Sequence, residues 1–558
     1  MAVLKGLSRI QMQIMWDRLR ALVEEQAAAM MRTAFSLLVR ESGDLSSGVF
    51  DPKGRMLAQA VTGTPGHVNT MAASVKHFIQ HFPVEAMRQG DIYITNDPWM
   101  GTGHLHDFIL VTPVFHRGRL AGLTACTSHQ TDIGGLGFVA YATDVHMEGL
   151  YIPFLKLADE GVFNDTLMKI IRANSRLPAE TEGDVYALAG SNDIGAHRLS
   201  EMMEEFELNT LNELSDHIIR NSRNAVIAEI AKLPKGVYRN TKRIDAYEKQ
   251  VDLVATLTIS KDGIHVDYEG TSLCSRYGVN VPLSYAAAYT CFGLACVVAP
   301  WVPNNTGSLE PYRVTAPPGS ILNPQYPAAV AARANIGLIL PDVVFGCLVQ
   351  AVPERVPAES TSSLWSLNAH GPRSGDDGGP ATYTTSCVLN GGAGARPTKD
   401  GLSATAFPSG VRSSPVEIVE AEVPVTIWRK EYRPDSGGAG QYRGGHGLII
   451  EVETNDGAPF ELRGTFEHRA NPPRGRCGGL SGAPGYVGLA SGIALKGKGR
   501  DDIAAGERVI MMTPGGGGFG PPGERERSAV VADVRDGLVT LEAAQRDYGV
   551  EILDQERR

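Results

Sequence analysis

Two apolar runs, residues 108–115 and 120–128, flank the turn signal Arg117-Gly118, and the same short pattern stands at each outer end of the pair. His104-Leu-His-Asp107 precedes the first run and His129-Gln-Thr-Asp132 follows the second. Apolar runs of this length joined by such a turn predict a β-hairpin. A hairpin returns its outer ends to one place, because neighbouring strands lie only ~5 Å apart. The two His-x-x-Asp units, each where a strand meets a Gly-rich turn, are therefore expected to meet. Two imidazoles and two carboxylates, His104, Asp107, His129 and Asp132, suit zinc, manganese or ferrous iron; calcium and magnesium favour an all-oxygen shell. With no cysteine in the set and room for water, the pattern reads as a catalytic centre for one divalent transition metal. His106 points the same way as His104 in an extended segment, and only one of them need reach the cation.

The rest of the chain reads as α+β: a mixed large domain with helical insertions and a β-rich C-terminal domain. Helical spacing and good helix formers predict a helix over residues 8–40. Residues 47–59 form a hairpin around Asp51-Pro-Lys-Gly54, a helix spans 71–81, and 91–96 is a strand. Residues 164–221 are mainly helical, broken at Ser175-Arg-Leu-Pro178. Val251, Leu253, Ala255, Leu257 and Ile259 alternate with strand period. The Gly-, Pro-, Asp- and Thr-rich stretch 370–399 reads as a long loop or boundary. Residues 417–512 read as strand and turn throughout, and a short helix covers 541–548. The expected regions are 1–235, carrying the metal site, 236–400 and 401–558.

Composition excludes several classes. The net charge is −10, which argues against a nucleic-acid partner, since such proteins need a basic stripe. The apolar stretch 285–303 holds Thr290, two cysteines and two prolines, so it is expected in the core rather than in a membrane. Acidic and basic residues such as Asp17, Arg18, Arg20, Glu24 and Glu25 are scattered through the first residues, so no secretory leader is expected. The cysteines are odd in number and scattered without a CxxC pair, which suggests a reducing cytoplasm and no disulfide framework. Cys126 lies mid-strand and is expected in the core. Glycine is abundant, 63 of 558 residues. Neither Gly515-Gly-Gly-Gly518 nor Gly437-Gly-Ala-Gly440 is a nucleotide loop, because no GxxxxGK[ST] occurs anywhere; both are expected in tight turns. No GxSxG elbow is present.

Several longer motifs carry a family resemblance. Asn96-Asp-Pro, Gly103-His-Leu-x-Asp107, His129-x-x-Asp-Ile-Gly-Gly135, Glu148-Gly-Leu150, Asn174-x-Arg176 and Gly183-Asp184 are the first of them. Asp435-Ser-Gly-Gly-Ala-Gly-Gln-Tyr-Arg-Gly-Gly445, Thr513-Pro-Gly-Gly-Gly-Gly-Phe-Gly520 and Tyr548-Gly-Val550 complete the set. From about Ser42 to Val550 the chain resembles the hydantoinase B/oxoprolinase family. The resemblance implies that His104, Asp107, His129 and Asp132 hold a metal. It implies that the acids Glu41 and Asp44 face the reaction chamber, one as general base, with His67 of Thr64-Pro-Gly-His67 as a further candidate from a loop. Two departures stand out: His106 replaces a usual proline, and Gln130 replaces the second of two adjacent histidines. The activity implied is ATP-dependent hydrolysis of a hydantoin, oxoproline or lactam. A separate hydantoinase A-type subunit would bind ATP and activate the carbonyl, in a hetero-oligomer such as α2β2. The alternatives are a subunit of a ketone carboxylase of the acetone or acetophenone type, and a scaffold subunit without catalysis.

Overall fold

The computed structural model describes residues 8–61, 63–373 and 382–553. Its first helix, α1 (Arg9–Thr33), starts on a reciprocal cap: Ser8 Oγ accepts from the Gln11 N–H, and Gln11 Oε1 accepts from the Ser8 N–H. The single helix expected over 8–40 is broken at Ala34. Asp184 Oδ1 accepts from the N–H groups of both Phe35 and Ser36, holding the backbone extended before the four-residue helix α2 (Leu37–Arg40). The expected hairpin follows as β1 (Leu45–Phe50) and β2 (Met56–Gln59). Helix α3 (Pro65–His81) begins six residues before the helix read from the sequence, with Pro65 in its first turn, where a missing N–H costs nothing.

The next strands are β3 (Ile92–Thr95), β4 (Asp107–His116) and β5 (Arg119–His129). Arg117 and Gly118 take φ of 50° and 71°, the left-handed pair that a two-residue hairpin turn requires. With β6 (Leu155–Asp159) and β7 (Val162–Phe163) they complete a seven-stranded antiparallel sheet, ordered β2-β1-β5-β4-β3-β6-β7. Helices α4 (Asp165–Asn174), α5 (Pro178–Glu205) and α6 (Asn212–Ile230) follow, with the expected break near Pro178 between the first two. Both sheet faces are covered. Phe108, Leu110 and Val114 of β4 join Leu19, Val23 and Leu188 of α1 and α5 in one core. The intervening Ile109 and Val111 join Met71, Val75 and Phe78 of α3 in another. Burial on both faces is why β4 and β5 carry apolar residues on both sides rather than in strict alternation.

The central sheet, β8 (Gly236–Ile244), β9 (Val251–Ile259), β10 (Ile264–Asp267) and β11 (Tyr312–Thr315), packs with helix α7 (Leu283–Val298). Most of the apolar stretch 285–303 forms that buried helix, and no helix among the described residues is long and apolar enough to cross a membrane. Two four-stranded sheets share the last large core. One contains β12 (Trp365–Pro372) and β13 (Thr382–Leu389), which pair with strands from 460–465 and 498–503. The β-rich region therefore starts near Trp365, not at 401, and the stretch expected to be a loop contains β13. Its residues 374–381 lie outside those described. A helix at Val416–Glu422 interrupts the run read as strand and turn, and the helix Leu541–Tyr548 is present.

The run Gly515 to Gly518 does not make a tight turn. None of Gly515 to Gly518 has positive φ. They lie flat against neighbouring main chain instead: a methyl on Gly515, Gly516 or Gly518 would overlap the carbonyl oxygen of Ser436, Ala393 or Ala439. The N–H groups of Gly516, Gly517 and Gly518 donate to the carbonyls of Gly445, Glu359 and Leu480 at 2.8–2.9 Å. Backbone packs on backbone, and side chains are excluded by space.

Candidate metal centre

The β4–β5 register places Asp107, the first residue of β4, directly opposite His129, the last of β5. The buried Asp107 carboxylate is the hub. Its Oδ1 lies 2.7 Å from His104 Nε2 and 3.2 Å from His129 Nδ1; its Oδ2 lies 2.9 Å from His67 Nε2 and 2.6 Å from Arg333 Nη2. His67 enters from the first turn of α3. Asp44, just before β1, approaches His67 Nδ1 to 3.6 Å and accepts from Thr64 Oγ1 at 3.2 Å. One ligand atom from each of His104, Asp107 and His129 lies within 4.8 Å of the others. Asp44, Thr64, His67, His104, His129 and Arg333 line a chamber of about 60 Å³ whose remaining wall includes Leu38, Phe138, Tyr285, Tyr289, Leu338, Val388 and Val411.

Tautomers follow from the hydrogen bonds. His104 Nδ1 donates to the Ala331 carbonyl at 2.8 Å, and His106 Nδ1 donates to the Gln130 carbonyl at 3.0 Å. Burial, with Arg333 adding, holds His104 well below the usual histidine range; burial, with His129 adding, brings His106 down to about 4. Both rings are therefore neutral near pH 7, and the Nε2 of each is a buried lone pair without a hydrogen bond. Burial would raise the Asp107 carboxyl, but the charges packed against it, those of His67 and Arg333 among them, override it and hold it well below the carboxylate range. A lone pair 2.7 Å from an ionised carboxylate repels unless a cation joins them. The His106 and His129 rings stack 5.2 Å apart, His104 lies 5.1 Å from His129, and Phe138 meets all three edge-on. Imidazole nitrogens around one carboxylate fit a divalent transition metal.

The family model described as hydantoinase B/oxoprolinase matches residues 8–522. The chain belongs to the hydantoinase B/oxoprolinase family. That match begins earlier than the motif resemblance and ends before Tyr548-Gly-Val550. A putative D-/L-hydantoinase B-type subunit from Pseudomonas sp. (strain NS671) is 30% identical, over 99% of this chain and 97% of its own. The crystal structure of the ATP-dependent caprolactamase from Pseudomonas jessenii superposes with a TM-score of 0.89 at 27% identity, covering 99% and 98% of the two chains. A nucleotide-free acetone carboxylase structure reaches a TM-score of 0.86 at 20% identity over 98% of this chain and 80% of that one, a likeness of fold.

Within this family member, the expected ligand set is brought together only in part. His104, Asp107 and His129 converge. Asp132 does not join them: Arg176 Nη2 reaches its Oδ1 at 2.5 Å, and its Oδ2 takes the Arg176 N–H and the Ser175 hydroxyl. The chain turns away after β5, where the Gln130 N–H donates to the His106 carbonyl at 2.7 Å, and this swings Asp132 to the loop at 175–176. His106, taken as the loose member, stacks inside the cluster. Of the two acids, Asp44 lines the chamber, whereas Glu41 pairs with Arg40 at 3.0 Å and is not part of its wall. His67 is helical rather than in a loop. Burial would lower it, but Asp107 and Asp44 raise its pKa, so it holds a proton more firmly than an ordinary histidine.

Sequence reasoning missed Arg333 and Glu148 as parts of the site. Arg333 donates Nη2 to Asp107 and Nε to the Thr102 carbonyl at 2.6 Å. A lone charge within Ala331-Ala-Arg-Ala334 is the signal that it has a buried partner. The buried Glu148 accepts from the N–H groups of Val330 and Ala331 at 2.6 and 2.7 Å, fixing the carbonyl that orients His104. Its burial pushes the carboxyl up to about 8.

Proposed function

We propose that this chain is the metal-bearing subunit of an ATP-dependent cyclic-amide hydrolase, acting on a hydantoin, oxoproline or lactam activated by a separate A-type subunit. The observation that carries the reading is the pocket in which His104 and His129 present ring nitrogens, at 2.7 and 3.2 Å, to one buried ionised carboxylate, Asp107. A divalent transition metal held by His104, Asp107 and His129 would act there as a Lewis acid on an oxygen. His67, held between Asp107 and Asp44, carries a proton at the chamber wall and can release it to a departing nitrogen. Asp44 accepts a proton at its carboxylate, the role of a general base. Leu38, Leu338, Val388 and Val411 give the chamber an apolar wall, beside which charge interactions are stronger than in water. An amide carbonyl is a weak electrophile, so activation by ATP before attack makes chemical sense, and the chain has no phosphate loop of its own.

The test is reconstitution with the A-type partner. The complex should open a five- or six-membered cyclic amide with ATP consumption and without added bicarbonate, and this chain alone should hydrolyse no ATP. Labelled bicarbonate appearing in a simple ketone, with no cyclic amide opened, would assign a ketone carboxylase instead.

A further inference from the structure

Tyr285 and Tyr289 stand one helical turn apart on α7, are buried, and line the chamber. Their rings meet edge to face, 5.1 Å between centroids. Both ring ends cross the first turn of α3. A methyl on Gly66 would lie 2.5 Å from Tyr289 Cε2, 2.7 Å from Tyr285 Cε2 and 3.0 Å from Tyr285 Cζ. Gly66 precedes His67 in the first turn of α3. The Arg333 guanidinium covers the Tyr285 ring, 4.0 Å from its centroid.

The hydroxyls have an unusual balance of donors. Tyr93 and Tyr268, also buried, settle theirs on Asp91 at 2.8 Å and on Thr290 at 2.6 Å. Tyr289 Oη has no hydrogen bond of good geometry, and its polar neighbour is the Tyr285 hydroxyl. Tyr289 Oη is therefore a buried hydroxyl whose proton is uncommitted. Burial first, and then the charges of Asp107 and Asp44, push Tyr285 up to about 12, and burial carries Tyr289 well above the phenol range. Both remain donors at neutral pH.

We propose that the pair is the hydrogen-bond donor to the substrate's carbonyl oxygen, with Tyr289 donating to Tyr285 and Tyr285 donating to the oxygen as it gains negative charge. The assignment rests on the reading of the chamber as the place where an activated cyclic amide is attacked, because a fixed donor is most effective where charge develops.

Tyr285→Phe and Tyr289→Phe keep both rings and remove one hydroxyl each. In the complex with the A-type partner, kcat for cyclic-amide opening should fall about 10²-fold in Tyr285→Phe and about 10-fold in Tyr289→Phe, with KM little changed. The double variant should be no slower than Tyr285→Phe by more than about threefold, since the second hydroxyl acts through the first. Metal content and thermal midpoint should match the wild type, which separates lost donation from lost packing. Both single variants retaining kcat within about twofold would overturn the assignment. If the wild-type complex opens no cyclic amide, the functional reading fails separately. The same variants are then measured on bicarbonate-dependent ketone consumption, where the oxygen of the enolate gains the same charge and the same losses are expected.

Discussion

Asp107 and Asp132 occupy equivalent places in a repeated pattern, yet their surroundings give them different work. Asp107 is a register partner of His129 inside the sheet; Asp132 lies three residues beyond the end of β5, after the chain has turned. Asp107→Asn removes the carboxylate charge facing the His104 and His129 nitrogens and leaves Arg333 buried without its anion. The metal content of the purified chain should fall from about one ion to nearly none, with a stability loss of about 3–5 kcal/mol. Asp132→Asn should keep the metal and cost about 1 kcal/mol, because Arg176 is 45% exposed and water replaces part of what it loses. Elemental analysis and urea unfolding of the two variants check this. A folded Asp132→Asn chain without metal would restore Asp132 as a ligand. The same logic makes Glu148 a positioning residue: it never meets the donor nitrogens, but it fixes the Ala331 carbonyl that holds the His104 tautomer.

At the scale of elements, what was legible follows how local each signal is. The β4–β5 hairpin was legible because an apolar run, a left-handed turn pair and a second run are contiguous, and its register brings Asp107 and His129 together. The start of α3 was missed because Pro-Gly reads as a loop, although proline is welcome in a first turn. The run Gly515 to Gly518 was misjudged because a turn and a close backbone approach call for the same residue. Substitution separates the two cases. Gly516→Ala places a methyl against the Ala393 carbonyl, which is backbone and cannot swing aside. It should cost more than about 4 kcal/mol or prevent folding. Gly190→Ala, exposed within α5 with nothing within 4 Å, should instead gain about 0.5–1 kcal/mol from helix propensity. Denaturant midpoints of the two variants compare them directly; a well-folded Gly516→Ala chain would contradict the backbone packing.

Across the whole molecule, the site is closed by contacts of long sequence separation: Ala331 meets His104 and Arg333 meets Asp107 more than two hundred residues away. No local period announces such pairs, which is why the donors were legible and their orienting partners were not. The same long-range closure buries titratable groups far from the chamber. His468 lies in the β-rich region: it is buried, donates Nδ1 to the Asn471 carbonyl at 2.6 Å, and has no partner at Nε2. Burial, with the charge of Lys242 adding, brings it from 6.5 down to about 4. The unfolded chain therefore takes up this proton before the folded one does. The stabilisation from a neutral His468 is complete above pH 6.5 and is lost as pH falls towards 4, by about 3 kcal/mol. His468→Asn retains a donor for Asn471 and tolerates the left-handed backbone there, φ 62°, but cannot titrate. Whatever the gap in unfolding free energy between wild type and variant at pH 7, it should shift by about 3 kcal/mol in the variant's favour at pH 4. Urea unfolding at pH 7, 5.5 and 4 measures it, and a gap that stays constant would mean that the folded protein protonates His468 as readily as the unfolded chain.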